Sequence, residues 1–250
     1  MASCSSHVME TPLPNWLELP RHITSNILQR LDTLEIVTSA CVVCPLWWNI
    51  CKDPRLWRTI NMCMMRDISL SLFDTEYPSR LEKICRYAVD RSSGYLRDIY
   101  INKFATDDLL NHIANSTSEL RCIKLEECHG ISSQVFSEVV KKQPFLEELD
   151  IADCGFIGIQ HIGQCCPLLK SLKFSPCCEE SDKSDDIAFA IAKTMPTLSH
   201  LTILNNGLTN DGLLAILDGC PLLESIDLRG CRHLDLDEDI PYDSDPDCWL

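Results

Sequence analysis

From Leu96 onward one arrangement of apolar and polar positions keeps returning. It reads Leu96-Arg-Asp-Ile99-Tyr-Ile101, then Leu120-Arg-Cys-Ile123-Lys-Leu125, Leu146-Glu-Glu-Leu149-Asp-Ile151, Leu169-Lys-Ser-Leu172-Lys-Phe174, Leu198-Ser-His-Leu201-Thr-Ile203 and Leu223-Glu-Ser-Ile226-Asp-Leu228. Successive copies start 24, 26, 23, 29 and 25 residues apart. The last two apolar residues of each copy are separated by one polar residue, the alternation of a short strand with one face inward. Between the copies lies a second apolar set: Leu109, Leu110 and Ile113; Val135, Phe136 and Val139; Ile159 and Ile162; Ile187, Ala190 and Ile191; Leu213, Leu214 and Leu217. These spacings predict a helix after each strand, with those residues on its inner face.

Leu-x-x-Leu-x-Leu at a period of roughly 20 to 29 residues is the leucine-rich-repeat pattern. Its Asn or Cys position, three places after the third apolar residue, holds Cys128, Cys154, Asn206 and Cys231, and Cys177 in the fourth copy. The predicted fold is therefore α/β, a solenoid with parallel strands on its concave face and helices on its convex face, about six repeats over residues 96–232. Ahead of it, Leu56 to Met62 alternates as a first strand, and Leu81, Ile84, Cys85, Ala88 and Val89 form a helical stripe ending at Gly94, a C-cap. Residues 59–95 thus read as a connection or first atypical repeat.

The stretch Pro14 to Trp57 has a different pattern. Leu19-Pro20 opens a helix whose Ile23, Ile27, Leu28 and Leu31 share one face. Asp32-Thr-Leu-Glu35 has the spacing of a capping box and starts a second helix with Ile36, Val37, Ala40 and Cys41 inward. Cys44-Pro45 ends it, Pro45 seeds a third helix loaded with Leu46, Trp47, Trp48 and Ile50, and Asp53-Pro54 turns the chain again. So many apolar residues exceed what a module of this size buries, which points to a docking face.

The order Leu-Pro, Ile, Ile-Leu, Leu-Asp, a Cys-rich helix, a Trp-bearing helix and Asp-Pro-Arg-Leu-Trp resembles the F-box, and Cys44-Pro-Leu-Trp-Trp-Asn-Ile-Cys-Lys-Asp-Pro54 resembles the plant F-box/leucine-rich-repeat proteins. Pro45 departs from the wider F-box pattern, where a Lys or another helix former is commoner. The resemblance places an F-box at 14–58 and implies a Skp-family adaptor as partner, and through it a cullin and a RING protein. The chain would then be the substrate-recognition subunit of an SCF-type ubiquitin ligase, a non-enzyme without cofactors whose repeats hold an unknown protein target. The expected adaptor-binding residues are Leu19, Pro20, Ile23, Ile27, Leu28 and Trp48; the alternative is that all of them fill the module's own core. Two other functions stay open: a scaffold that binds the adaptor without delivering a target, and a thiol-based sensor or enzyme.

Charge and cysteine usage narrow this. A formal net charge of −15, with Lys141-Lys142 as the densest basic cluster, argues against nucleic acid. Sixteen cysteines with no signal-peptide pattern at Met1 to Thr11 fit a reducing compartment, nucleus or cytoplasm. No apolar run approaches the roughly 20 residues that cross a bilayer. Residues 1–13 read as a flexible lead. Residues 233–250 form an acidic tail without Lys or Arg, a solvated end or a clamp for a basic partner. Cys41-Val-Val-Cys44 has zinc spacing but no second pair, and neither Cys165-Cys166 nor Cys177-Cys178 has a basic neighbour to activate a thiol. The seven His and nine Gly build no hydrolase or phosphate-loop motif.

The strand alternation also selects a target face. If Ile99 and Ile101 point inward, Asp98, Tyr100 and Asn102 point outward, and the same count gives Lys124, Glu126, Glu148, Asp150, Lys173, His200, Thr202, Asp227 and Arg229. Loops or the tail are the alternative recognition surface.

Overall fold

The computed structural model describes residues 18–63, 76–155, 162–176 and 184–234. The polar lead, Ile159, Cys177-Cys178 and the tail from Asp235 lie outside the described residues.

The N-terminal module is built of three helical segments. Helix α1 (Arg21–Leu28) follows Pro20. Segment α2 is composed of Thr33–Glu35, a π turn Ile36–Ala40 and Cys41–Val43. Its start is the expected capping box: Glu35 N donates to Asp32 Oδ1 at 2.7 Å and Asp32 N to Glu35 Oε2 at 3.4 Å. Helix α3 (Pro45–Cys51) has Pro at its first turn and Cys44 as N-cap. A 3₁₀ turn, Pro54–Trp57, is capped by Asp53, so Leu56 and Trp57 stand ahead of the first strand instead of in it.

That strand, β1 (Thr59–Met62), begins a sheet whose further members are β2 (Asp98–Asn102), β3 (Cys122–Glu126), β4 (Glu148–Cys154), β5 (Ser171–Pro176), β6 (His200–Ile203) and β7 (Ser225–Asp227). All pair in parallel, in chain order. Helices α4 (Tyr77–Ser92), α5 (Asp107–Ser116), α6 (Ser133–Lys141), α7 (Ile162–Cys165), α8 (Asp186–Thr194) and α9 (Asn210–Gly219) fall between successive strands. Parallel neighbours require such crossovers. Helix α4 ends through Ser93 and Gly94, both at positive φ.

The register aligns the expected inward residues into two rows. Ile60, Ile99, Ile123, Leu149, Leu172 and Leu201 form one; Met62, Ile101, Leu125, Ile151, Phe174 and Ile203 form the other, and all twelve are buried. One hydrophobic cluster runs from Leu28 in α1 to Cys231 after β7, so the module and the repeats share a core. One polar link crosses the junction, Asn61 N donating to Thr33 Oγ1 at 3.0 Å, and inside the module Trp57 Nε1 donates to Cys51 O at 2.9 Å.

The turns after β2, β3, β4, β6 and β7 repeat one device. Lys103, Glu127, Asp153 and Asn205 have φ of 74°, 50°, 50° and 51°, and Gly230 takes φ 80° at the corresponding place. The left-handed residue swings the next side chain inward, where Cys128 Sγ lies 3.7 Å from Ile101 O, Cys154 Sγ 3.6 Å from Leu125 O, and Cys231 Sγ 3.4 Å from Ile203 O. These three cysteines therefore tie their turns to the strand of the preceding repeat, and the twelve described cysteines are all free thiols. An L-residue held left-handed costs roughly 1–2 kcal/mol, more than glycine's entropic penalty of about 0.5–1 kcal/mol. Glu127→Gly with Asp153→Gly is thus expected to raise stability by about 0.5–1 kcal/mol per site, read as a higher urea midpoint; a lowered midpoint would refute the strain.

Side chains also staple neighbouring repeats. Thr106, Ser132 and Thr209 cap α5, α6 and α9. Ser132 N donates to Asp107 Oδ1 of the preceding repeat at 2.7 Å, and Thr209 N to Asp185 Oδ1 at 2.8 Å. The inner face of α9 differs from expectation: Leu214 and Leu217 are exposed and Leu213 half-buried, while Gly212 and Ile216 face inward. A Cβ on Gly212 would sit 2.2 Å from Asp185 Oδ1, and one on Gly219 2.4 Å from Ala192 O. The seam 212, 216, 219 thus lets α9 close tightly on α8, which turns the leucines outward.

Candidate functional site: an apolar module face and a charged concave strip

Of the residues expected to anchor an adaptor, Pro20 is exposed, Ile23 is 37% and Trp48 38% exposed, and Leu19 and Ile27 are half-buried. Leu28 is fully buried in the shared core, so its role is packing and it leaves the outward set. The cause is the helix itself: Thr24 and Leu28, four apart, take the inner side of α1, which turns Ile23 outward. Val42 and Val43, which the pattern does not single out, are the most exposed large apolar residues among the module's described residues, at 76% and 57%. They follow the inward stripe of Ile36, Ala40 and Cys41 and end α2, where no helix among the described residues covers them. Two cations lie over the Trp48 ring, Lys52 Nζ at 5.2 Å and the Arg91 guanidinium at 5.6 Å from its centre.

On the repeats, the register sets the outward residues in rows across the concave face. The outer row runs Thr59, Asp98, Cys122, Glu148, Ser171, His200, Ser225, and the middle row Asn61, Tyr100, Lys124, Asp150, Lys173, Thr202, Asp227. Asn102 and Glu126 begin a third, and Arg229 lies beyond β7. The alternation therefore brings the expected target-facing residues together on one strip. Asn102 is nonetheless buried, because its Nδ2 donates to Glu126 Oε2 at 2.7 Å and the longer side chain lies against it. Thr59, Asn61 and Cys122 were not foreseen; Cys122 occupies an outward position yet is buried, its Sγ 3.3 Å from Glu148 Oε2.

Most strip charges are internally paired. Lys124 Nζ lies 2.8 Å from Glu148 Oε1 and 5.3 Å from the Tyr100 ring centre, Lys173 Nζ 3.3 Å from Asp150 Oδ2, and Arg229 2.8 Å from Asp227. Burial pushes the Glu148 carboxyl upward, but hydrogen bonds from Lys124 and Cys122 outweigh it and hold the group below its ordinary range. Asp150 goes the other way: burial raises it and Lys173 only partly offsets the shift. Its Oδ1 is buried without a hydrogen-bond partner among the described residues. Burial pushes the Cys122 thiol up to about 12, with Glu148 adding to the shift, so the thiol stays protonated at neutral pH. Burial likewise raises Tyr100, which stays a neutral phenol.

Among the described residues no cluster of three or more His, Cys, Asp or Glu is arranged to hold a metal, and no helix is long and apolar enough to cross a membrane. The arrangement offers two interaction surfaces, one apolar and compact, the other an extended polar strip with an acidic surplus.

A family profile described as F-box-like matches residues 16–63. Three relatives from Arabidopsis thaliana match along nearly the whole chain. F-box/LRR-repeat protein 23 is 43% identical over 250 residues, covering 94% of this chain and 54% of that protein. F-box protein SKIP19 is 46% identical over 228 residues, covering 90% and 72%. F-box/LRR-repeat protein 9 is 39% identical over 231 residues, covering 90% and 92%. The chain thus spans about half the length of the first of these and nearly all of the last. An F-box-like module at the N-terminus, a parallel strand-helix solenoid behind it and this degree of identity agree: the chain belongs to the F-box/LRR-repeat proteins.

Proposed function

We propose that the chain is the substrate-recognition subunit of an SCF-type cullin-RING ubiquitin ligase, active in the nucleus or cytoplasm. The F-box docks on a Skp-family adaptor through Leu19, Pro20, Ile23, Ile27 and Trp48, joined by Val42 and Val43, while the concave strip holds a protein target. The chain supplies no chemistry of its own; it brings the target close to a charged conjugating enzyme, and proximity accelerates the transfer.

The observation that carries this reading is the exposed apolar set on a module whose core is already complete. Leu28, Ile36, Ala40, Ile50 and Trp57 are buried without help from it. An apolar face left over after the core is satisfied marks an interaction site. Burying three or four such side chains contributes roughly 1.5–3 kcal/mol each, enough for micromolar affinity before ordering costs.

The test is co-purification with a Skp-family adaptor. Ile23→Asp with Val42→Asp is expected to weaken retention at least a hundredfold while the urea midpoint moves little, since both positions are exposed. Undiminished retention by the folded double variant would sink the docking assignment. A target whose abundance ignores the same variant would favour the scaffold reading over the ligase one.

A further inference from the structure

Two acceptors on the concave face are buried without a donor. Asn102 is 8% exposed; its Nδ2 donates to Glu126 Oε2 at 2.7 Å, and its Oδ1 has no hydrogen-bond partner among the described residues. Asp150 Oδ1 is in the same condition, while Asp150 Oδ2 faces Lys173 Nζ at 3.3 Å. Buried acceptors are nearly always paired, because losing water without gaining a donor costs the whole desolvation of the group. Glu126 lies between the two. The register sets Asn102 beside Glu126 and Glu126 beside Ala152, and Asp150 precedes Ala152 by two residues on the same face of β4. Ala152 offers only a methyl there, so the outward row dips between Glu126 and Ser175, its partner on β5.

Charge around this recess is out of balance. Lys124 pairs with Glu148 and Lys173 with Asp150, whereas Glu126 has no ion-pair partner among the described residues. Three carboxylates thus face two lysines. Burial holds the Asp150 carboxyl above its ordinary range and outweighs Lys173, so the one lysine it has does not meet its charge. A metal ion is not the missing group, since no three His, Cys, Asp or Glu among the described residues converge to hold one.

From this we infer that the recess between Asn102, Glu126 and Asp150 receives an arginine side chain of the target protein. The groups that line it are all acceptors, two anionic and one neutral, spread over three adjacent strands. A guanidinium presents five N–H donors in a planar fork and sheds water more readily than an ammonium, so it serves several acceptors at once. Its charge also removes the local surplus of one carboxylate. The assignment to a target rests on the substrate-receptor reading and names one side chain that the concave strip selects; the recess itself does not depend on that reading.

The experiment titrates the full chain, at fixed ionic strength, with three fluorescein-labelled degenerate peptide pools that differ only in a fixed central residue: arginine, lysine, or citrulline, which keeps the shape of arginine without its charge. Binding is read by fluorescence polarisation. One variant, Asp150→Asn with Glu126→Gln, removes two carboxylates from the recess; a second, Ala152→Leu, fills it and keeps every charge. The control, Glu138→Gln with Asp218→Asn, removes two exposed carboxylates from the convex helices α6 and α9. The native chain and the control are expected to bind the arginine pool at least tenfold more tightly than the citrulline pool, and more tightly than the lysine pool. Both recess variants lose that preference while their circular-dichroism melts are unchanged. No arginine preference in the native chain, or the same preference in both recess variants, overturns the site. An equal loss in the control reduces the effect to attraction by the net charge of −15 and overturns it as well. Equal binding of the lysine pool overturns the guanidinium. Adaptor co-purification is the separate readout: a native chain that prefers arginine yet retains no Skp-family adaptor keeps the recess and fails the ligase reading.

Discussion

Trp57→Ala is expected to cost about 3–5 kcal/mol and to divide one unfolding transition into two. Trp57 is 1% exposed, its Nε1 is satisfied by Cys51 O, and its ring meets Tyr87 of α4 edge-on, at 6.1 Å between centroids and 87° between planes. The side chain thus joins α3, the 3₁₀ turn and the first helix behind the F-box. Removing it opens a cavity at the seam and takes from Cys51 O the indole donor it accepts. Since a small domain's whole stability is roughly 5–15 kcal/mol, a loss of this size at a joint uncouples the F-box from the repeats before it unfolds either. Urea unfolding followed by tryptophan fluorescence and by circular dichroism would give divergent midpoints for Trp57→Ala and coincident ones for the native chain. Trp57→Phe, which keeps most of the ring and loses the hydrogen bond, is expected near 1 kcal/mol; coincident probes at an unchanged midpoint in Trp57→Ala would exclude a coupling role.

The same joint bears on function. On the proposed function, adaptor docking would fix the F-box in space, and a target on the repeats would be useful only if the repeats were fixed relative to it. The continuous core from Leu28 to Cys231 and the Asn61–Thr33 hydrogen bond supply that rigidity.

What was legible in the sequence followed from periodicity. Two inward residues per strand, repeated at one spacing, fixed both buried rows and hence the outward strip, because side chains alternate along any strand. The capping box at Asp32 and Glu35 was legible because it rests on side-chain chemistry at a fixed interval. Three things were not. Helix α1 carries apolar residues on two sides, and spacing alone does not say which of Ile23 and Leu28 faces the core. The left-handed turns hide because Lys103, Glu127 and Asp153 are not the glycine or asparagine that advertises positive φ; only Asn205 and Gly230 do. In α9 the glycines at 212 and 219 decide the packed face, although a hydrophobic pattern counts them as neutral.

The concluding expectation is that a single carboxylate in the middle of the ladder abolishes cooperative unfolding, while the same change at its end does little. Leu149 is 0% exposed, between Ile123 and Leu172 in the buried row, with Ile226 at 36% exposure in the corresponding place on the terminal strand. Truncating a buried leucine costs about 2–5 kcal/mol, and burying an unpaired charge adds several more. Leu149→Asp therefore exceeds the stability of the repeats on either side, and in a stacked array the loss propagates through both interfaces. Among the described residues Ile226 has a strand neighbour on one side only, β7 pairing with β6, so Ile226→Asp is expected to cost about 1 kcal/mol or less. Circular dichroism during urea unfolding would show no cooperative transition for Leu149→Asp and a slightly lowered midpoint for Ile226→Asp. Equal losses at the two positions would mean that the array unfolds as one unit with no end effect, and the nearest-neighbour account of its stability would have to be abandoned.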